Sequence, residues 1–96
     1  MPKKSASYDD FLFQQLRDNP EFTKEYLNEA LHEEDPAAFY LAVKNVIQAG
    51  AGMTQTAQDA DLNRESLYKA LSGKRNPEWV TMRKVLQALG FELAVS

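Results

Sequence analysis

The sequence contains no cysteine, a single histidine and no glycine-rich stretch. Without cysteine, neither a disulfide bond nor a thiolate metal site can form. His32 precedes Glu33 near the end of a predicted exposed helix, where it is most simply a solvated side chain beside the negative end of the helix dipole. Ser66 and Ser72 have no candidate general base, and no glycine-rich loop is available to hold a phosphate. We therefore expect no enzymatic activity, no cofactor and no metal site.

Long apolar runs are also missing. No run approaches the roughly 20 residues of a membrane-spanning helix. Residues 1–16 include two lysines, but they lack the apolar core of about 7 residues that a secretory signal peptide carries. We expect a cytoplasmic protein without a membrane partner. No internal repeat, low-complexity segment or long linker divides the 96 residues, which predicts a single domain with residues 1–7 poorly ordered.

Charge is distributed unevenly along the chain. The net charge is −3, yet residues 5–35 hold nine acids against two bases, whereas residues 64–84 hold six bases against two acids. Duplex DNA would interact with the local basic patch, so the charge of that patch matters more for DNA binding than the net charge of the whole chain. The acidic half indicates either a second, basic partner or simply a soluble face.

Residues 53–73, MTQTAQDADLNRESLYKALSG, are predicted to form two short helices joined by a tight turn. Thr54 can cap the first helix. Asp61 stands where the chain must turn sharply, and aspartate tolerates the left-handed conformation better than most residues. Asn63 is an N-cap candidate for the second helix, residues 64–71. This arrangement is what a helix-turn-helix requires.

The predicted second helix has one buried face and one polar, mostly basic face. Leu67, Ala70 and Leu71 fall on one side, at the spacing of a buried stripe. In a DNA-binding helix-turn-helix, the first helix lies across the phosphates and the second reaches base edges. The alternative is an ordinary helical hairpin with a solvated face.

Nine residues are candidates for DNA contact. Because arginine can bind guanine through two hydrogen bonds and glutamate can accept one from cytosine N4, base contacts are assigned to Arg64, Glu65 and Lys69. Phosphate contacts position a protein without reading sequence. They are assigned to Thr54, Gln55, Ser66, Tyr68, Lys74 and Arg75. Arg83 and Lys84 are expected to lie too far around the last helix to contribute.

The remaining helices share a start signal, in which a capping residue precedes a proline. It occurs at Asn19, Asp35 and Asn76. The helices predicted on either side of residues 53–73 cover residues 8–16, 20–32, 36–48 and 77–89. The segment 8–48 is thus acidic and helical, and the fold class is all-α, with five or six short helices and one C-terminal strand.

Two features of the C-terminal part concern packing and assembly. Trp79 is expected to be a core anchor that holds the second helix at its angle, the alternative being a DNA-stacking role. Residues 91–95 alternate with the period of a half-buried strand. Since a lone strand leaves its backbone groups unpaired, we expect a homodimer whose tails pair with each other or pack with the last helix. The alternative is a tail that folds back on its own helices.

The segment RESLYKALSGKRNPEW, followed by TMRKVLQALGFELAV, resembles repressor-like helix-turn-helix proteins of the xenobiotic-response-element type, the addiction-module antidotes. The resemblance covers nearly the whole chain and is densest over residues 62–95. It implies a lambda-repressor-like fold and a type II antitoxin that binds operator DNA, represses its own operon and neutralises a small basic toxin. Asp61 departs from the family pattern, in which glycine is usual, and the first helix is shorter than in most such domains.

The alternative from another class is a protein-interaction module whose acidic helices bind a basic protein without specific DNA binding.

Overall fold

Six α-helices make up the part of the chain that the computed structural model describes, residues 3–74 and 77–91. They are α1 (Lys3–Asp18), α2 (Pro20–Leu31), α3 (Pro36–Ala49), α4 (Met53–Asp59), α5 (Arg64–Ala70) and α6 (Trp79–Ala88). These ranges contain no strand, so the all-α prediction is confirmed for them, and six agrees with the predicted number of helices. None of the helices described is long and apolar enough to cross a membrane.

The predicted capping residues begin helices α2 and α3. The side chain of Asn19 accepts a hydrogen bond from the backbone N–H of Phe22 at 3.1 Å, and that of Asp35 accepts one from Ala37 at 3.0 Å. A proline follows each cap, at a position where its missing N–H leaves no helical bond unmade. Each such cap stabilises its helix by about 1 kcal/mol. The predicted starts of these two helices are confirmed.

Two helices begin elsewhere than predicted. α1 begins at Lys3, inside residues 1–7, which were predicted to be poorly ordered. No glycine or proline occurs within α1, so none of its residues strongly opposes the helix. α6 begins at Trp79, and its N-cap residue Glu78 makes no side-chain capping bond. Asn76, the predicted cap, lies outside the described residues.

The core is built around α3, which packs against α1, α2 and α4. Val43 and Ile47 of α3, Leu67 of α5 and Val85 of α6 are fully buried. Complete burial of such a side chain contributes about 1.5–3 kcal/mol to stability. Because α4 packs against both α5 and α6, this core holds one side of α5 in place and leaves its other side in solvent.

The interpretation of Trp79 as a core anchor is wrong. Its side chain is 61% exposed, and that of Val80 is 48% exposed. The buried side of α6 consists of Met82, Val85 and Leu86. Side chains of an α-helix tilt toward its N-terminus, so that of the first residue projects past the packed part of the helix. The DNA-stacking alternative for Trp79 stays a prediction.

The predicted strand at residues 91–95 lies outside the described residues except for Phe91. Phe91 belongs to no strand, and its N–H donates to the carbonyl oxygen of Leu86 at 2.9 Å. Gly90, with a φ of 90°, makes the left-handed turn that ends α6. Phe91 packs against the core. Where the chain leaves α6, it therefore turns back onto its own helix.

Candidate nucleic-acid interface

The turn between α4 and α5 has the backbone conformation predicted for it. Asp61 has a φ of 59°, in the left-handed region. Its N–H donates to the carbonyl oxygen of Gln58 at 3.1 Å, and the N–H of Leu62 donates to that of Ala57 at 2.8 Å. These bonds satisfy carbonyl groups that the end of α4 would otherwise leave free. The turn thereby sets the direction in which α5 leaves α4.

The cap predicted at Thr54 is wrong, because α4 already begins at Met53. Gly52 precedes it with a φ of 90°, a conformation that favours glycine, and no side chain caps the helix. Thr54 and Gln55 lie instead within the first turn of α4, and both are exposed. The Nε2 group of Gln55 donates to Oδ1 of Asp59 at 2.9 Å. Both predicted phosphate ligands of α4 are therefore accessible, with the Gln55 amide bonded along the helix.

α5 has the two faces predicted for the second helix. Its N-cap residue Asn63 accepts a hydrogen bond from the N–H of Ser66 at 2.7 Å. Leu67 and Ala70 are buried, as is Leu71 just beyond the helix. The exposed residues of α5 are Arg64, Glu65, Tyr68 and Lys69. Since α5 has seven residues, these four side chains leave the backbone within about 10 Å along the helix axis.

Tyr68 is contacted by two cations. The Cζ atom of Arg64 lies 5.4 Å from the centre of the Tyr68 ring, and its Nη2 group donates to the Tyr68 hydroxyl at 3.4 Å. The Nζ atom of Lys44, on α3, lies 5.8 Å from the same ring centre. A cation over an exposed aromatic ring gains about 0.5–1 kcal/mol. Two positively charged side chains, one from α3 and one from the first turn of α5, thus lie beside the ring of Tyr68.

Lys44 was not among the DNA contacts predicted from the sequence. It is half-buried on α3 and is the one base between Lys24 and Arg64. Every other residue of α3 is uncharged. Lys44 is the single cation of an otherwise uncharged helix, and this was the signal in the sequence that could have marked it. Its contact with Tyr68 depends on packing between distant segments, so no local pattern could show it.

An open cleft of about 500 Å³ lies between α5 and the start of α6. Three of the predicted contacts, Ser66, Lys69 and Lys74, line it together with Glu78. Its described lining carries two lysines against one glutamate, so the cleft favours an anion. The structure therefore brings two predicted phosphate contacts, Ser66 and Lys74, together with the predicted base contact Lys69, whereas Thr54 and Gln55 lie apart from the cleft on α4.

Ser72 and Gly73 shape the loop that carries Lys74. The Ser72 Oγ group donates to the carbonyl oxygen of Lys69 at 2.9 Å and accepts the Lys74 N–H at 3.3 Å. Gly73 has a φ of 78°, and a Cβ atom there would lie 3.1 Å from the nearest side chain of α3. The loop is thus held against both α5 and α3, with Lys74 exposed. Arg75, the last predicted contact, lies outside the described residues.

Comparison with known proteins identifies relatives over most of the chain. A family model described as "Probable addiction module antidote protein" matches residues 7–96. A protein of Haemophilus influenzae, described as uncharacterized, is 43% identical over 70 residues, which are 73% of this chain and 71% of the relative. No solved structure is significantly similar to the chain. The family match includes all nine predicted DNA contacts.

Proposed function

Because this chain belongs to the family of probable addiction module antidote proteins, we propose that it is an antitoxin that represses its own operon by binding operator DNA. On this proposal α4 and α5 are a repressor-type helix-turn-helix, and the protein acts in the cytoplasm as a homodimer. We assign it no catalytic activity and no cofactor.

The exposed polar face of α5 is the observation that carries this proposal. Leu67 and Ala70 hold the opposite face in the core, so α5 can enter a major groove about 12 Å wide without leaving the fold. Arg64 donates to O6 and N7 of guanine, and Glu65 accepts from N4 of cytosine. To do so, Arg64 exchanges its 3.4 Å bond to the Tyr68 hydroxyl for a base.

Polar side chains beside α5 support contacts with phosphates. Thr54 and Gln55 are exposed in the first turn of α4, and Lys74 is exposed in the loop after α5. Lys44 adds a cation next to Tyr68. Such contacts fix the position of the duplex, and each neutralised phosphate releases a counterion, which makes binding weaker as salt rises.

A homodimer supports specificity. One helix of seven residues reaches only a few base pairs, and repressors of this type read two half-sites about 34 Å apart through a two-fold axis. The proposed dimer presents two copies of α5 to such a site.

The acidic half of the chain favours a second role. Every acid from Asp9 to Asp35 is exposed, and the family is one of antidotes. We therefore propose a small basic toxin as the protein partner. The competing possibility is an interaction module that binds a basic protein and has no specific DNA binding.

Fluorescence anisotropy with two duplexes separates these possibilities. One duplex covers the promoter of the chain's own operon, and the other is a shuffled sequence of equal length and composition. We expect tighter binding to the promoter duplex and a linear fall of log K with log salt from about 50 to about 200 mM. Equal affinity for the two duplexes would refute the repressor. Binding to the product of the adjacent reading frame, measured separately without DNA, tests the toxin partner.

A further inference from the structure

A groove between α2 and α3 lies apart from the α4–α5 surface. It has a volume of about 250 Å³, and none of its described lining residues belongs to α4, α5 or α6. Tyr26 and Ala30 line it from α2, and Ala38 and Leu41 line it from α3. Leu41 is 56% exposed, although α3 contributes more buried residues than any other described helix. The groove therefore offers an accessible apolar surface.

The packing of α2 against α3 holds the groove in shape. The Nδ2 group of Asn45 donates to the Tyr26 hydroxyl at 2.9 Å and so joins the two helices. Leu27 of α2 and Val43 of α3 are buried in the same core. A partner consequently meets a preformed surface, and little free energy is lost in ordering it.

The charge of the groove limits what can bind there. Glu29 and Glu33 line it, both are exposed, and no described basic residue lines it. Glu21 and Glu25 precede Glu29 at the same four-residue spacing on α2, and residues four apart lie on one side of a helix, while Glu33 follows just after the end of α2. This row of carboxylates repels DNA and complements a partner on which lysine or arginine flanks an apolar side chain.

We infer that the toxin binds the antitoxin in the α2–α3 groove, and that it does so through a basic amphipathic helix. An amphipathic helix laid in an apolar groove is a recurrent mode of protein recognition. The inference rests on the proposed antitoxin function and adds to it the surface and the chemistry of the partner. Since no described residue that lines the groove is a proposed DNA contact, toxin binding leaves α5 free.

Calorimetric titration of the full chain with the product of the adjacent reading frame tests this surface. Two matched pairs of variants are compared. The double variant Glu29→Lys, Glu33→Lys reverses two charges of the groove. Its control, the double variant Asp9→Lys, Asp10→Lys, makes the same change in net charge on α1. Leu41→Ala removes an apolar contact of the groove, and Leu31→Ala removes a leucine that is also exposed, at 61%, but does not line it.

We expect each groove variant to bind the toxin roughly tenfold more weakly or worse, and each control to stay within about twofold of the parent. Circular dichroism should show the same helix content in all of them. Binding of the Glu29→Lys, Glu33→Lys variant to the promoter duplex should not fall, because the groove lies outside the DNA surface.

Three results would overturn the inference. If the parent binds the toxin and the groove variants bind it equally well, the groove is not the toxin-binding site, while the antitoxin function stands. If the parent does not bind the toxin at all, the proposed partner fails and the groove assignment fails with it. If the groove variants instead abolish self-association of the chain, the groove's occupant is a second copy.

Discussion

The Nζ atom of Lys44 lies 5.8 Å from the ring centre of Tyr68, although α4 separates the helices of these two residues along the chain. Arg64 lies over the same ring at 5.4 Å. A cation from α3 is thus added to those of α5. The proposed DNA surface is therefore more positive than the sequence of α5 alone indicates, and it depends on how α3 packs.

Lys44→Met should weaken binding to promoter and shuffled duplexes alike and reduce the salt slope by about one phosphate contact. Thermal stability should change little, because a cation over the exposed ring of Tyr68 contributes only about 0.5–1 kcal/mol. Anisotropy titrations at several salt concentrations measure both effects. Lys24→Met, which removes an exposed cation from α2, is the control. An equal loss in both variants would show that only net charge matters.

Arg64→Ala should cost about 1–3 kcal/mol of binding to the promoter duplex and relax discrimination at one base pair. The reason is the loss of a two-bond contact with guanine from the first turn of α5. A set of duplexes with single base-pair changes measures the discrimination. Arg83→Ala removes an exposed arginine of α6 and should bind like the parent. If the Arg64 variant discriminates between base pairs as the parent does, α5 is not the recognition helix.

Lys74→Ala should weaken binding to all sequences by the same factor and lower the salt slope by about one contact. Lys74 is exposed in the loop after α5, where we propose a phosphate contact. Lys69→Ala is the comparison, because Lys69 is assigned to a base and its loss should change sequence preference. If the two variants exchange these behaviours, the assignments of base and phosphate contacts are reversed.

Asp61→Gly should be neutral or stabilise the fold by up to about 1 kcal/mol, because glycine adopts a positive φ at no steric cost. Asp61→Ala should destabilise it by about 1 kcal/mol, since the φ of 59° is unfavourable for alanine. Urea unfolding followed by circular dichroism compares the two. A clear loss of stability in the glycine variant would mean that the aspartate side chain itself holds the turn.

Deleting residues 92–96 tests the proposed role of the tail in the dimer. The deletion keeps Phe91, whose ring packs against the core and whose N–H bonds to α6. We expect a monomer with unchanged helical circular dichroism and much weaker operator binding, because one half-site is then bound alone. Analytical ultracentrifugation measures the assembly. A truncated chain that still sediments as a dimer would exclude the tail from the interface, and a monomeric full-length chain would refute the dimer.

The sequence by itself determined the features that depend on near neighbours in the chain. Asn19, Asp35 and Asn63 mark helix starts because each side chain bonds a backbone N–H two or three residues later. The positive φ at Asp61 follows from a tight turn at a residue type that tolerates it. The buried side of α5 follows from the periodicity of a helix, in which Leu67 and Ala70 face the same way.

Only the tertiary structure decided which helices meet. It placed Lys44 beside Tyr68, formed the cleft between α5 and α6, and left Leu41 exposed in the α2–α3 groove. It also exposed Trp79, whose spacing agrees with the buried stripe of α6. Periodicity shows which side of a helix is apolar, but the neighbour of that side is chosen by the packing of the whole core. Contacts between distant segments are therefore absent from any local pattern.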